Sequence, residues 1–400
     1  MTDELRISTG LDYPEIRDSV SKVCAAFPGA YWRKLEEDLA YPTEFVTALT
    51  EAGYLSALIP EQYGGSGMPL RAAAVILETI HASGCNAGAC HAQMYTMGTV
   101  LRHGSETQKQ KYLPQIASGA LRLQAFGVTE PTTGTDTTKL KTRAVRDGDS
   151  YVINGQKVWT SRALHSDLML LLARTTPQEE VKKKSEGLSV FLIDIRSSLG
   201  HGMQIQPLKA MVNHHATEVF FDNLRIPADT LIGDEGKGLK YILDGMNAER
   251  ILVSSEAIGD ARWFTKTSVA YVNGRRVFDR PIGQNQGVQF PIARDMRKLK
   301  RPIWCCAARL RASPLVCLAA TTPTWANCSP RTQHGTQPKP ACKATAASAL
   351  HASTMSNASG ARRGCSRLRR SRPIWCSRIS ANIFSACRAR FERAAVSRRR

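Results

Sequence analysis

The sequence predicts an α+β multidomain chain: an N-terminal α-helical domain, a central β-barrel or sandwich, and a C-terminal α-helical bundle whose second half is disrupted. Three observations predict it. Apolar residues recur at helical spacing through the first 120 residues, the period turns to alternation from about Leu121, and helical spacing returns after Pro227. The expected divisions are 1–120, 121–232 and 233–300, with a tail of different character over 301–400.

The helical signals come in order. Thr43 to Ala52 is apolar at helical spacing and stops at Gly53, and a turn-rich loop, Ile59 to Gly65, follows. Leu70 to Ser83 and Cys90 to Leu101 are amphipathic. A further helix starts at Ser105, where Ser105 and Gln108 form a capping-box pattern, and stops at Gly119.

Strand signals then take over. Ala144–Val145, Tyr151–Ile153, Leu168–Leu172, Leu188–Ile195, Met203–Gln206 and Glu218–Phe221 are separated by turn signals such as Arg146 to Asp149 and Asn154-Gly155. Lys182–Lys184 reads as a solvated loop. Beyond Pro227, Lys237 to Ile258 is one long helix, and Arg262 to Asn273 is its antiparallel partner or its continuation. A third helix runs from Gln286 to Lys300.

Composition bounds the function. The chain has 400 residues, 42% hydrophobic and 22% charged, which fits globular domains. No apolar run approaches the ~18 residues of a membrane span, and the N-terminus lacks a signal-like or transit-like segment, so a cytoplasmic location is expected. The formal charge of +20 is uneven: residues 301–400 hold 19 of 54 Lys+Arg with one acid, Glu392, and 8 of 11 cysteines. Any case for a basic, nucleic-acid-binding protein therefore rests on the tail alone.

Two segments carry chemistry. Phe126 to Asp136 (Phe-Gly-Val-Thr-Glu-Pro-Thr-Thr-Gly-Thr-Asp) offers hydroxyls and backbone N–H groups to a flat polar ligand or a phosphate, yet by itself reads first as an ordinary Thr/Gly turn. Asn154 to Ser161 sets Trp159 before two hydroxyl residues, an aromatic wall beside donors, yet by itself is a strand with a buried Trp. Together, and with Pro60 to Gly65, Gly104 to Gln108, Glu218 to Asp222, Ala248-Glu249-Arg250 and Gly274 to Ile282, they resemble the acyl-CoA dehydrogenase family over about residues 10–300.

That resemblance implies an FAD flavoprotein oxidoreductase of fatty acid metabolism, converting an acyl-CoA to the trans-2-enoyl-CoA. Positions matching Phe126, Val128, Thr129 and Thr135 contact flavin, and Thr135 also lies against the CoA part of the substrate. Trp159 and Ser161 match residues at the isoalloxazine edge. Arg275, Phe278 and Gln286 match residues that reach the FAD of a neighbouring subunit in a tetramer or dimer. Most relatives carry the catalytic Glu in a C-terminal loop, whereas isovaleryl-type members carry it on a helix just before an Arg, the pattern of Glu249-Arg250. A lone helix Glu is more often a solvated surface carboxylate; the surrounding match reverses that reading. Asn247 and Arg250 match the segment lining the substrate cavity, and an electron-transferring flavoprotein is the expected acceptor. His214 and His215, adjacent on an extended segment, point to opposite faces and receive no role. No metal site is expected.

Residues 301–400 show no sustained period. Combining the third base of each codon with the first two of the next lets Pro302–Cys305 and Pro373–Cys376 both encode Asp-Leu-Val. The same shift lets 341–367 encode the family's Gly-Gly loop and charged helix, and places a stop codon across Phe391 and Glu392. The expectation is a reading frame that shifts near Lys300 and a disordered, out-of-frame tail. The tail's Arg clusters lack interleaved aromatics and its cysteines lack C-x-x-C spacing, so neither nucleic acid, membrane nor metal is expected there. The runner-up readings are a catalytically impaired remnant that binds FAD poorly and assembles doubtfully, or a basic-tail protein binding nucleic acid or anionic surfaces.

Overall fold

Pro14 at the first turn of a helix, where no N–H is missed, opens the described chain; the computed structural model describes residues 13–210 and 213–296. Six helices precede the sheet: α1 (Pro14–Ala25), α2 (Gly29–Asp38), α3 (Thr43–Glu51), α4 (Leu70–Ala82), α5 (Gly88–His103) and α6 (Glu106–Ser118). The first two gave no periodic signal: α2 has no fully buried residue, and its inner face is made of half-buried aromatics, Tyr31 and Trp32. The cap expected on α6 forms in both directions. Gln108 N–H donates to Ser105 Oγ at 3.1 Å, Ser105 N–H donates to Gln108 Oε1 at 2.9 Å, and Gly119 closes the helix at φ 80°.

The eight strands are β1 (Leu123–Gly127), β2 (Arg143–Asp147), β3 (Ser150–Ser161), β4 (Leu168–Arg174), β5 (Leu188–Asp194), β6 (Met203–Pro207), β7 (Ala216–Pro227) and β8 (Leu231–Ile232), with a one-turn helix α7 (Ile195–Ser198) after β5. All belong to one sheet, ordered β6-β7-β3-β2-β4-β5-β8, with β1 parallel to β4. The sheet curls around a single core to which every strand contributes. Ala125, Ala144, Ile153, Leu171, Phe191, Met203 and Val219 are fully buried in it, and Leu231 packs against its rim. This is the central β-domain that the alternation predicts.

One turn signal is corrected. Asn154-Gly155 does not reverse the chain; it lies inside the twelve-residue β3, where the β3–β7 register shifts between Ile153 and Gly155. Gly155 adopts φ 149°, and a Cβ there would lie 2.6 Å from the Cα of Thr142. Its freedom therefore serves a bulge against the neighbouring chain, not a hairpin.

After β8 the chain enters α8 (Gly238–Gly274), 37 residues and about 55 Å long at ~1.5 Å per residue. Arg262 to Asn273 is thus a continuation, not an antiparallel partner. The helix passes through Gly259 because a glycine is what lets α4 approach: a Cβ there would lie 2.3 Å from the Glu78 carbonyl oxygen. Ala248, Ile251, Leu252 and Ile258 of α8 complete the core of the N-terminal helices, while Leu239 and Ile242 join the layer between α5, α6 and the sheet. The helices and the sheet therefore share buried surface along α5 and α8.

A short hairpin, β9 (Arg276–Val277) and β10 (Arg280–Pro281), follows, and the chain is helical again over 286–296. The rest of the helix expected to Lys300, and every expectation for 301–400, lie outside the described residues. Among those described, no helix is long and apolar enough to cross a membrane, and no group of three His, Cys, Asp or Glu could hold a metal ion. Lys182–Lys184 is an exposed loop between β4 and β5, as expected.

Candidate active site

The end of β3 is distorted where it matters. Its pairing with β7 shifts register between Lys157 and Thr160, and Trp159 inside that shift has φ 62°. Arg162, just past the strand, has φ 60°. Two left-handed residues thus flank Ser161, a costly arrangement for L-residues that re-aims side chains at a strand end. The chain after β1 is tied to this edge, since Val158 N–H donates to Thr129 O at 2.9 Å.

A buried ion pair makes the second tie. Lys157 has no exposed side-chain surface, and its Nζ donates to Glu130 Oε1 at 2.8 Å and to Val128 O at 3.2 Å. Glu130 also accepts N–H from Lys141 at 2.6 Å and Thr142 at 2.9 Å. Burial pulls Lys157 down to about 8 while Glu130 opposes; for Glu130, burial would raise the carboxyl, but Lys157 and the N–H donors outweigh it and hold it low. The sequence reading missed this pair. Its signal was a Lys in the middle of a strand-forming run, two residues before Trp159.

Phe126 ends β1 half-buried and meets Tyr95 of α5 edge-on, ring centroids 5.4 Å apart. Tyr95 in turn meets His91 at 5.2 Å. Glu249, 8% exposed on α8, presents Oε1 4.0 Å from His91 Nε2, and His91 Nδ1 lies 2.9 Å from Glu256 Oε1. Burial raises Glu249; His91 and Arg250 draw it back and Glu256 pushes it further up. Burial also raises the Tyr95 hydroxyl, which feels both the Glu249 carboxylate and the Arg162 guanidinium. Tyr95 thus packs between Phe126 and His91, the neighbour of the helix carboxylate.

Phe126 is linked to Glu249 through Tyr95 and His91, and Val128 and Thr129 are tied by hydrogen bonds to the end of β3 that carries Trp159 and Ser161. Thr135 is exposed at the tip of the turn beyond Glu130, beside Gly134, which has open space around it. Asn247 and Arg250 pair with one another on the adjoining turn of α8. Arg275, Phe278 and Gln286 are not brought here. Arg275 follows α8 and so stands 26 residues, about 39 Å, along from Glu249; Phe278 is 91% exposed in the β9–β10 turn, and Gln286 is exposed beyond it.

His214 and His215 differ from expectation. His215 is left-handed at φ 51°, not extended, its ring 4.9 Å from His165 and 5.7 Å from Tyr41, and its carbonyl accepts Arg162 N–H at 2.8 Å. Burial first, then Arg162 for His214 and His165 for His215, lower both imidazoles to about 4.

The residues present fit a flat, acceptor-rich ring such as flavin. Among the described residues, the hydroxyls of Thr129, Thr135 and Ser161 and the indole N–H of Trp159 have no hydrogen-bond partner, and all are at least partly exposed at this edge. A row of unanswered donors beside an aromatic wall is what such a ring needs.

Comparison with known proteins agrees with this geometry. The family models described as acyl-CoA dehydrogenase N-terminal, middle and C-terminal domain match residues 12–120, 125–224 and 236–313. A cyclohex-1-ene-1-carbonyl-CoA dehydrogenase of Syntrophus aciditrophicus is 32% identical over 264 residues, covering 65% of this chain and 62% of that protein. A glutaryl-CoA dehydrogenase of Desulfococcus multivorans is 32% identical over 287 residues, 70% of this chain and 71% of its own. The chain therefore spans about six to seven tenths of these relatives. A solved glutaryl-coenzyme A dehydrogenase in complex with glutaryl-CoA superposes with TM-score 0.70 at 27% identity, covering 77% of this chain and 78% of that one.

Proposed function

The chain belongs to the acyl-CoA dehydrogenase family, and from that premise we propose that it oxidises an acyl-CoA thioester to the trans-2-enoyl-CoA, with Glu249 as base. The observation that supports the assignment of the base is the burial of Glu249 beside His91, whose ring meets Tyr95 and through it Phe126. The α-proton of a thioester is weakly acidic, so the base must be held in geometry and kept dry. Burial raises the Glu249 carboxyl toward the working pH, where proton transfer is most effective.

The cofactor is FAD, which when bound supplies the acceptor for the β-hydrogen, leaving as hydride. Phe126, Val128, Thr129 and Thr135 would hold it from the β1 side and Trp159 and Ser161 from β3, Thr135 reaching the CoA portion as well. Asn247 and Arg250 would line the thioester's path. Arg275, Phe278 and Gln286, remote from this chain's own site, would serve the flavin of a second copy in a homo-oligomer. An electron-transferring flavoprotein would reoxidise the enzyme, in a cytoplasmic setting.

The test is Glu249→Gln in the full chain supplied with FAD. We expect a folded protein whose flavin is no longer bleached by acyl-CoA substrates that bleach the unchanged chain. Undiminished bleaching in the variant would overturn the assignment of the base.

A further inference from the structure

We propose that His91 is the positioning residue of Glu249: clamped by Glu256, its imidazolium keeps the buried base ionised and able to take a proton. This rests on the reading of Glu249 as base.

The arrangement is geometric first. Glu249 and Glu256 are seven residues apart on α8, two turns along one face, and His91 of α5 reaches between them. Its Nδ1 lies 2.9 Å from Glu256 Oε1, and its Nε2 4.0 Å from Glu249 Oε1. The side chains of His91, Glu256 and Glu249 are 11%, 14% and 10% exposed. An imidazole whose two nitrogens each face a carboxylate, away from water, is placed to carry a charge, not merely to fill space.

Every packed element adds to the balance. From α4, His81 brings Nε2 to 3.9 Å of Glu256 Oε1 and is tied through Nδ1 to Asp260 at 2.9 Å. From α5 come Tyr95 and Cys90, from α8 Arg250, from the turn after β3 Arg162, and from the segment before β7 His214. Burial would discharge His91, but Glu256 and Glu249 together outweigh it and raise its pKa. For Glu256, burial opposes ionisation, yet His91, His81 and Arg162 hold it low.

The consequence for Glu249 has a sign. Burial and the like charge of Glu256 both favour its protonated, useless form, and the largest counterweight is the His91 imidazolium, ahead of Arg250. When Glu249 takes the α-proton, that proton stays on its carboxyl; His91 neither gains nor loses one. Its work is done before the transfer, by ensuring that an empty carboxylate is waiting.

The experiment needs neither flavin nor substrate. In the full chain labelled with ¹³C at glutamate Cδ, the Glu249 resonance is the one missing from Glu249→Gln, and its midpoint is followed with pH. His91→Gln should raise that midpoint by about one pH unit or more, so that roughly tenfold less carboxylate remains at pH below both midpoints. His91→Lys, which restores the charge but not the shape, should bring it back down, a recovery no packing role would produce. An unmoved midpoint in a folded His91→Gln would overturn the proposal. Should that variant not fold, the coupling is read from the other partner: linkage requires the His91 ring to titrate lower in Glu249→Gln, and an unmoved ring there overturns it equally. The two readings fail separately. Undiminished dehydrogenation in Glu249→Gln removes the base itself, whereas loss of activity there without coupling removes only the role of His91.

Discussion

Lys157 and Glu130 form an ion pair at 2.8 Å with side chains 0% and 4% exposed, joining β3 to the turn beyond β1. Removing one partner should be far worse than removing both. Glu130→Gln leaves an ammonium buried without its counter-charge and should cost about 3–5 kcal/mol in urea unfolding. Adding Lys157→Met to it should recover a large part of that loss, because no buried charge is then left unpaired; the amide oxygen introduced by Glu130→Gln can accept from only one of the Lys141 and Thr142 N–H groups, which sets the remainder. A double variant no more stable than the single one would refute this account.

His81 gives an alkaline limb to stability. Burial works against its charge, but Asp260 and Glu256 raise it from 6.5 to about 9. A raised histidine contributes stability that is complete below about pH 6.5 and is lost as pH climbs through 9. His81→Gln should therefore flatten the fall in Tm across that window while lowering Tm at about pH 6. The effect should be on the order of 2 kcal/mol, since Asp260 is half exposed and screened.

Arg162 should be visible through the His214 ring. With burial, its guanidinium holds His214 at about 4. In Arg162→Gln the His214 ring should titrate higher, though still short of an ordinary histidine because burial persists. Proton NMR of the ring resonances reads this directly, and an unshifted ring would show that the guanidinium does not face it.

Gly259 is a spacing device between α8 and α4. Gly259→Ala would press a methyl against the Glu78 carbonyl and should lower stability by roughly 1–3 kcal/mol. Gly274→Ala, with nothing within 4 Å, is the matched control and should be neutral or gain up to about 1 kcal/mol. Equal urea midpoints for the two would mean that the helices do not meet as described.

Local chemistry was legible wherever it closes on itself within a few residues. The Ser105–Gln108 box, the Gly119 stop and the alternation of β4 and β5 all need only neighbours in sequence to be recognised. Asn154-Gly155 misled because a bulge and a two-residue hairpin ask for the same backbone freedom, and the Thr142 contact that decides between them is a tertiary one. Trp159 and Ser161, proposed for the flavin edge, were singled out through family resemblance, but the register shift beside Trp159 leaves no mark in its own segment. His91 was invisible for a simpler reason: its partner Glu256 lies 165 residues away, and no periodic pattern links them.

Under the proposed service of Arg275 to the flavin of a second copy, the uninterrupted length of α8 makes one subunit's chemistry hostage to another's. Base and hairpin ride on a single rod too long to fold back, so a chain altered at Arg275 would spoil its companion's pocket and spare its own. Two individually inert variants, one at Glu249 and one at Arg275, should then regain turnover when assembled together, and a damaged copy mixed with sound ones would poison them.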